Sequence, residues 1–121
     1  MTNEDIARAF SRHDFERVLE HLDEDVEWRM RGNQTLVGRD AVAAACRSSA
    51  ADLTAVTTSW LRCIAVAGPD AAFVDAIGRY DHARDGVSIV SSCDVYEFRN
   101  QRVVRITSYA VELDPASSAA S

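Results

Sequence analysis

The sequence contains no lysine: all 13 of its basic residues are arginine. With no side-chain amine to form an imine, lysine-dependent aldolase and pyridoxal chemistry are excluded. Cysteine is scarce, at Cys46, Cys63 and Cys93. An odd, widely spaced set with no CxxC pair and no neighbouring histidine argues against both a disulfide framework and a zinc site. Buried free thiols are the expected state. GxGxxG, P-loop, GxSxG and HExxH motifs are all missing, so an enzyme built on this chain is expected to need no nucleotide, metal or other cofactor. No apolar run approaches the ~20 residues of a bilayer span. The opening Met1-Thr2-Asn3-Glu4-Asp5 lacks the basic start and apolar middle of a signal peptide, which predicts a cytoplasmic protein. Positive charge is also in deficit. The formal charge of −6 disfavours nucleic acid and anionic membranes as partners.

What is present suits one soluble domain. The chain has 121 residues, 47% hydrophobic and 26% charged, enough for a real core. Thr2 or Asn3 caps a first helix carrying Ile6, Ala9 and Phe10 on one face. Asp14 caps a second, with Phe15, Val18, Leu19 and Leu22 as its apolar stripe and His13 and His21 as solvated positions. Val26 to Arg31 alternates apolar with charged residues, the signature of a half-buried strand. Arg39 to about Ser49–Ala51 is a third helix. Four strands follow: Thr54 to Val66, Ala72 to Asp81, Val87 to Phe98 and Arg102 to Leu113. Residues 1–113 form a single α+β domain, and the small-residue stretch 114–121 is expected to be a disordered tail.

The strand around Asp94 carries the chemistry. A charge in mid-strand, within Ser91-Ser92-Cys93-Asp94-Val95-Tyr96, either meets water or sits in a pocket where a carboxylate has a task. Alternation puts Ser88, Val90, Ser92, Asp94 and Tyr96 on one face, and Phe73, Asp75, Ile77, Arg79 and Asp81 on one face of the preceding strand. Both faces are fairly apolar, so one is expected to meet the helices and the other a second subunit. The turns, taken as drawn, set Asp75 beside Ser92 and pair it with Arg62, leaving Asp94 the unpaired, desolvated carboxyl whose pKa burial raises. A bulge in the Thr54–Val66 strand would reverse part of that register. In the alternative reading Asp94 simply accepts hydrogen bonds from hydroxyls such as Ser108, and Arg79 and Asp81 form a rim ion pair.

The element order, together with Leu22-Asp23-Glu24-Asp25-Val26-Glu27-Trp28, Val37-Gly38-Arg39-Asp40-Ala41-Val42 and Asp94-Val95-Tyr96-Glu97-Phe98-Arg99-Asn100-Gln101-Arg102-Val103-Val104, resembles the SnoaL-like branch of the nuclear-transport-factor-2-like superfamily over residues 3 to 113. The resemblance implies a cone: three N-terminal helices against a strongly curved mixed, mainly antiparallel sheet that encloses a pocket. It also implies a homodimer through the outer sheet face. Members include ketosteroid isomerases, polyketide cyclases, limonene-epoxide-hydrolase-like enzymes and binding proteins. Asp94 matches the family's pocket aspartate. The isomerase's second aspartate falls near Arg29 or Met30, and its helix tyrosine near Ile6. Arg79-Tyr80-Asp81 resembles the hydrolase Arg-x-Asp, but the place of its partner aspartate holds Ser108, and the water-holding tyrosine and asparagine correspond to Trp28 and Met30. His82 lies close in the chain to the cyclase histidine.

The combined expectation is acid/base catalysis on a small hydrophobic or polycyclic substrate, with Asp94 carrying the proton and Arg79 and Asp81 orienting the ligand. Phe10, Trp28, Met30, Phe73, Asp75, Ile77, Tyr96, Ile106 and Ser108 are the expected ligand-binding residues. The alternatives are a non-catalytic binding module and a dimerisation module of the same fold.

Overall fold

The computed structural model describes residues 1–116. Helix α1 spans Asn3–Ser11. Its start is fixed by a reciprocal cap, in which the Asp5 amide donates to the Thr2 hydroxyl at 3.1 Å and the Thr2 amide donates to the Asp5 carboxylate at 3.0 Å. Its end is a Schellman turn. The His13 amide donates to the Phe10 carbonyl and the Asp14 amide to the Ala9 carbonyl, with His13 in the left-handed region at φ 67°. Glycine usually fills that position, because a Cβ costs free energy there.

The expected second helix is absent. After the left-handed residue the chain makes a turn and one 3-10 turn at Leu19–His21, and Leu22 already belongs to β1, Leu22–Met30. Phe15, Val18 and Leu22 are buried as their spacing suggested. A helix through Leu22 would, however, forfeit its pairing with Val103 in the sheet. A short strand β2, Thr35–Val37, was not anticipated and turns back on β1 after Gly32-Asn33. Then come α2, Arg39–Asp52, and β3, Thr57–Ala67. Three long strands complete the chain: β4, Ala71–Asp81, β5, Val87–Arg99, and β6, Arg102–Leu113. The described residues thus hold two α-helices, not three.

The six strands form one mixed sheet in the order β2-β1-β6-β5-β4-β3. Among the described residues only the β1–β6 pairing is parallel. Helix α1 packs against β3, β4 and β5, and α2 against β1 and β2. Ile6, Phe10, Val42 and Cys46 from the helices meet Val26, Val74, Tyr96, Val103 and Ile106 from the sheet in one core. Each such fully buried aliphatic side chain contributes roughly 1.5–3 kcal/mol. Burial pushes the Cys46 thiol up to about 12, so it stays protonated. The other sheet face leaves Ile64, Val66, Phe73, Tyr109 and Val111 substantially exposed. The expected tail begins at Asp114, but 117–121 lie outside the described residues.

Register decides which side chains reach the helices. In the β4–β5 ladder Asp75 faces Cys93, while Val74 faces Asp94. Asp75 does not stand beside Ser92 as the drawn turns required. The loop from His82 to Gly86 holds five residues, with Ala83 and Gly86 at positive φ. A one-residue difference in register moves a whole strand's side chains to the other face. Phe73, Asp75, Ile77, Arg79 and Asp81 therefore point away from Asp94. The anticipated irregularity in β3 is present, between Trp60 and Arg62. It turns both Trp60 and Cys63 toward the core and leaves Arg62 outside. Arg62 does pair with Asp75, at 3.0 Å, but both are well exposed, so the pair adds at most about 1 kcal/mol.

Candidate functional site

Asp94 sits in the middle of β5 with its side chain toward α1. The last residue of that helix, Ser11, donates its hydroxyl to Asp94 Oδ2 at 2.7 Å and shares a 2.6 Å hydrogen bond with the fully buried Tyr96 hydroxyl. Since the Ser11 proton points to Asp94, the Tyr96 O–H donates to Ser11 Oγ. A second arm comes from β1 and β6: the Trp28 indole N–H donates to Ser108 Oγ at 2.9 Å, and Ser108 is the direct ladder neighbour of Asp94. Burial raises the Asp94 carboxyl above the usual carboxylate range, and the hydrogen bonds from Ser108 and Ser11 oppose that rise. Asp94 is therefore hydrogen-bonded, as one reading of the sequence held, and desolvated, as the other held.

Above Asp94 lies a cavity of about 180 Å³. Phe10, Phe15, Trp28 and Trp60 give it aromatic walls, and Ser11, His13, Tyr80 and Asp94 are its principal polar groups. Phe10 holds three of the surrounding rings edge-on, with centroids 5.2 Å from Phe15, 5.0 Å from Trp28 and 5.9 Å from Tyr96. Exposed Ala110 on β6 marks the mouth. No arginine among the described residues lines this space. Among the described residues, no group of three His, Cys, Asp or Glu is placed to hold a metal ion, and no helix is long and apolar enough to cross a membrane.

Of the residues the sequence singled out, Asp94, Phe10 and Trp28 line the cavity. Tyr96 and Ile106 are fully buried beneath it. Ser108 anchors Trp28, and Met30 ends the same row of β1 beside Ser108 without reaching the cavity. Phe73, Asp75 and Ile77 stand on the opposite sheet face. So do Arg79 and Asp81, which are too far round to orient a ligand lying over Asp94; the Asp81 carboxylate instead accepts from the Ala83 amide in the turn. His82 is held in that same turn, its amide bonded to the Gly86 carbonyl.

Three polar groups were missed: Ser11, His13 and Tyr80. His13 is no solvated helix position. Its Nε2 lies 2.7 Å from the Tyr80 hydroxyl, and its ring is boxed by Phe15, Trp60 and Tyr80 at centroid distances of 5.6, 5.3 and 5.8 Å. Burial lowers its pKa, which keeps the imidazole neutral. Burial, and then the nearby Asp94 charge, raise that of Tyr80. The one signal in the sequence was the break in helical pattern at His13-Asp14.

The sequence profile of the SnoaL-like domain matches residues 4–106. No functionally curated protein matches the chain. Among solved structures, an NTF2-like protein of unknown function from Cytophaga hutchinsonii is similar at 28% identity and a TM-score of 0.77, over 88% of this chain and 94% of that one. A candidate polyketide cyclase from Xanthomonas campestris shares the fold at 16% identity and TM-score 0.66, over 86% and 83% of the two chains. An LEH-like epoxide hydrolase from M. tuberculosis does so at 18% identity and TM-score 0.63, over 88% and 77%. Two helices on a six-stranded mixed sheet, with a profile match over most of its length, show that the chain belongs to the SnoaL-like domain family.

Proposed function

We propose that this protein is a cofactor-independent acid/base enzyme acting on a small hydrophobic substrate beside a carbonyl group, by isomerisation, cyclisation or hydration/dehydration. Asp94 carries the proton. The observation behind this reading is a desolvated carboxyl facing an aromatic-walled cavity, with hydroxyl donors in place of a counter-cation. Desolvation makes the carboxylate more basic and its acid form available at higher pH, which suits a group that must both take and return a proton. The chain Tyr96 to Ser11 to Asp94 fixes one carboxyl oxygen, and the carboxyl group itself lines the cavity. The isomerase, cyclase and hydrolase names among proteins of the same fold are compatible with this class of chemistry, although a fold alone assigns no reaction.

The test is a screen of enolisable carbonyl compounds and epoxides with the wild type and Asp94→Asn. Turnover that falls about 10²- to 10⁴-fold in the variant, with ligand binding retained, is the expected result. A compound that stabilises the wild type in proportion to its concentration without being turned over would overturn the catalytic reading in favour of a binding module.

A further inference from the structure

We infer that the His13–Tyr80 pair is a recognition site for a neutral ligand oxygen, and that the cavity selects single-ring ligands carrying such an acceptor. This inference rests on the cavity being the ligand site, but not on Asp94 being a proton carrier. Three observations lead to it.

The first is that His13 is placed at a cost. It holds the left-handed C-terminal position of α1, at φ 67°, where side chains are disfavoured. The same conformation aims the imidazole back under Trp60 to within 2.7 Å of the Tyr80 hydroxyl. The pair is formed between a helix end and a strand, 67 residues apart in sequence, and both rings line the cavity. With the imidazole Nε2–H donating to the phenol oxygen, the phenol proton is free for a ligand. Tyr80 is then the group in contact with the ligand, and His13 positions it.

The second is charge. Among the described residues, Asp94 is the only carboxylate lining the cavity, and no arginine lines it. Burial holds His13 in its neutral form. An anionic ligand would meet Asp94 with no compensating cation. A neutral carbonyl or ether oxygen meets a hydroxyl donor.

The third is size. A buried apolar cavity of about 150 Å³ is enough for one benzene ring. The present cavity, at about 180 Å³, takes a single ring with a short polar substituent. A fused polycycle would have to extend through the mouth at Ala110, which favours the single-ring part of the substrate class drawn from the sequence.

The experiment uses acetophenone labelled with ¹³C at the carbonyl, titrated into the full chain and followed by difference infrared spectroscopy and by ¹⁵N NMR of the histidine rings. The carbonyl band is expected to move to lower wavenumber on binding, and His13 to be found as the Nε2–H tautomer. Tyr80→Phe keeps the ring and the fold. It is expected to abolish the band shift while weakening binding roughly two- to tenfold, the worth of one neutral hydrogen bond. His13→Gln is expected to reduce the shift, and Asp94→Asn to preserve it. Benzoate, the same ring bearing a charge, is expected not to compete at neutral pH. An unshifted carbonyl in the bound wild type, the same shift in Tyr80→Phe, competition by benzoate, or no binding of acetophenone up to its solubility limit would each overturn the inference. Loss of turnover without loss of the band shift in Asp94→Asn bears only on the proton-carrier reading, so the two can fail separately.

Discussion

Gly78→Ala tests whether the cavity wall is packed as tightly as the structure indicates. Gly78 lies on the core side of β4, opposite Trp60 on β3 and Val90 on β5. A Cβ built on it would fall 2.8 Å from the Tyr80 hydroxyl oxygen and 3.0 Å from both Trp60 Cζ3 and Tyr80 Cε2. Ordinary carbon contacts lie at about 3.5–4.0 Å, so the Tyr80 ring must shift by several tenths of an ångström. It has little freedom to do so, with its hydroxyl held by His13 and its edge against Trp60. Overpacking of this kind costs about 1–3 kcal/mol. Breaking the Tyr80–His13 hydrogen bond adds about 0.5–1.5 kcal/mol. Replacing glycine recovers about 0.4–1 kcal/mol by restricting the unfolded chain. The net loss is roughly 0.5–4 kcal/mol, and each kcal/mol lowers Tm by about 3–6 °C in a chain of this length. Thermal melts by far-UV circular dichroism measure the loss, and the tryptophan near-UV signal and His13 ring shifts report where it arises. A variant that melts with the wild type and leaves the His13 resonances in place would refute the close approach, and with it the geometry of the Tyr80 wall.

Two further outcomes are expected. Burial raises the folded-state pKa of Asp94 above its unfolded value, so stability associated with the protonated carboxyl is fully present below about pH 3.9 and is lost as pH rises through the folded pKa. Asp94→Asn is therefore expected to equal or exceed the wild type in urea denaturation at pH 7.5, with any advantage shrinking toward pH 4; marked destabilisation at pH 7.5 would contradict a desolvation-dominated site. The outer sheet face, with Ile64 and Phe73 each 43% exposed and Val111 62%, predicts a homodimer. Sedimentation equilibrium should show one that Phe73→Glu converts to a folded monomer, and a wild type monomeric at 100 µM, as an order of magnitude well above typical dimer constants, would oppose the idea.

The sequence exposed strand ends more readily than strand faces. The last strand, Arg102 to Leu113, was legible to the residue, because the polar turn Arg99-Asn100-Gln101 precedes a stretch rich in β-branched residues, Val103, Val104, Ile106, Thr107 and Val111. Asp94 stood out because a lone charge among small and apolar residues in mid-strand is costly unless it is used. Its neighbours were less visible. Arg79 and Asp81 were assigned to the wrong side of the sheet, since setting Asp75 beside Ser92 rather than Cys93 is an error of one position and side-chain direction has period two. Phe15, Val18 and Leu22 carry helical spacing, yet a turn followed by a strand buries the same three positions. Ser11, His13 and Tyr80 belong to no motif. They meet only because a left-handed residue ends α1 beside β4, a tertiary fact that local pattern does not encode.

The hydrogen bonds that shape the site are long-range in the chain. Ser11 reaches Asp94 and Tyr96 across 83 and 85 residues, and Trp28 reaches Ser108 across 80. Closing loops of that length carries an entropic cost that must be met before any of these contacts can stabilise the chain. The cavity is thus an attribute of the finished molecule. A chain still being synthesised would hold α1 long before the strand that gives it a partner. Partial unfolding that releases either end of the chain would erase the site before it disturbed the central hairpin of β4 and β5.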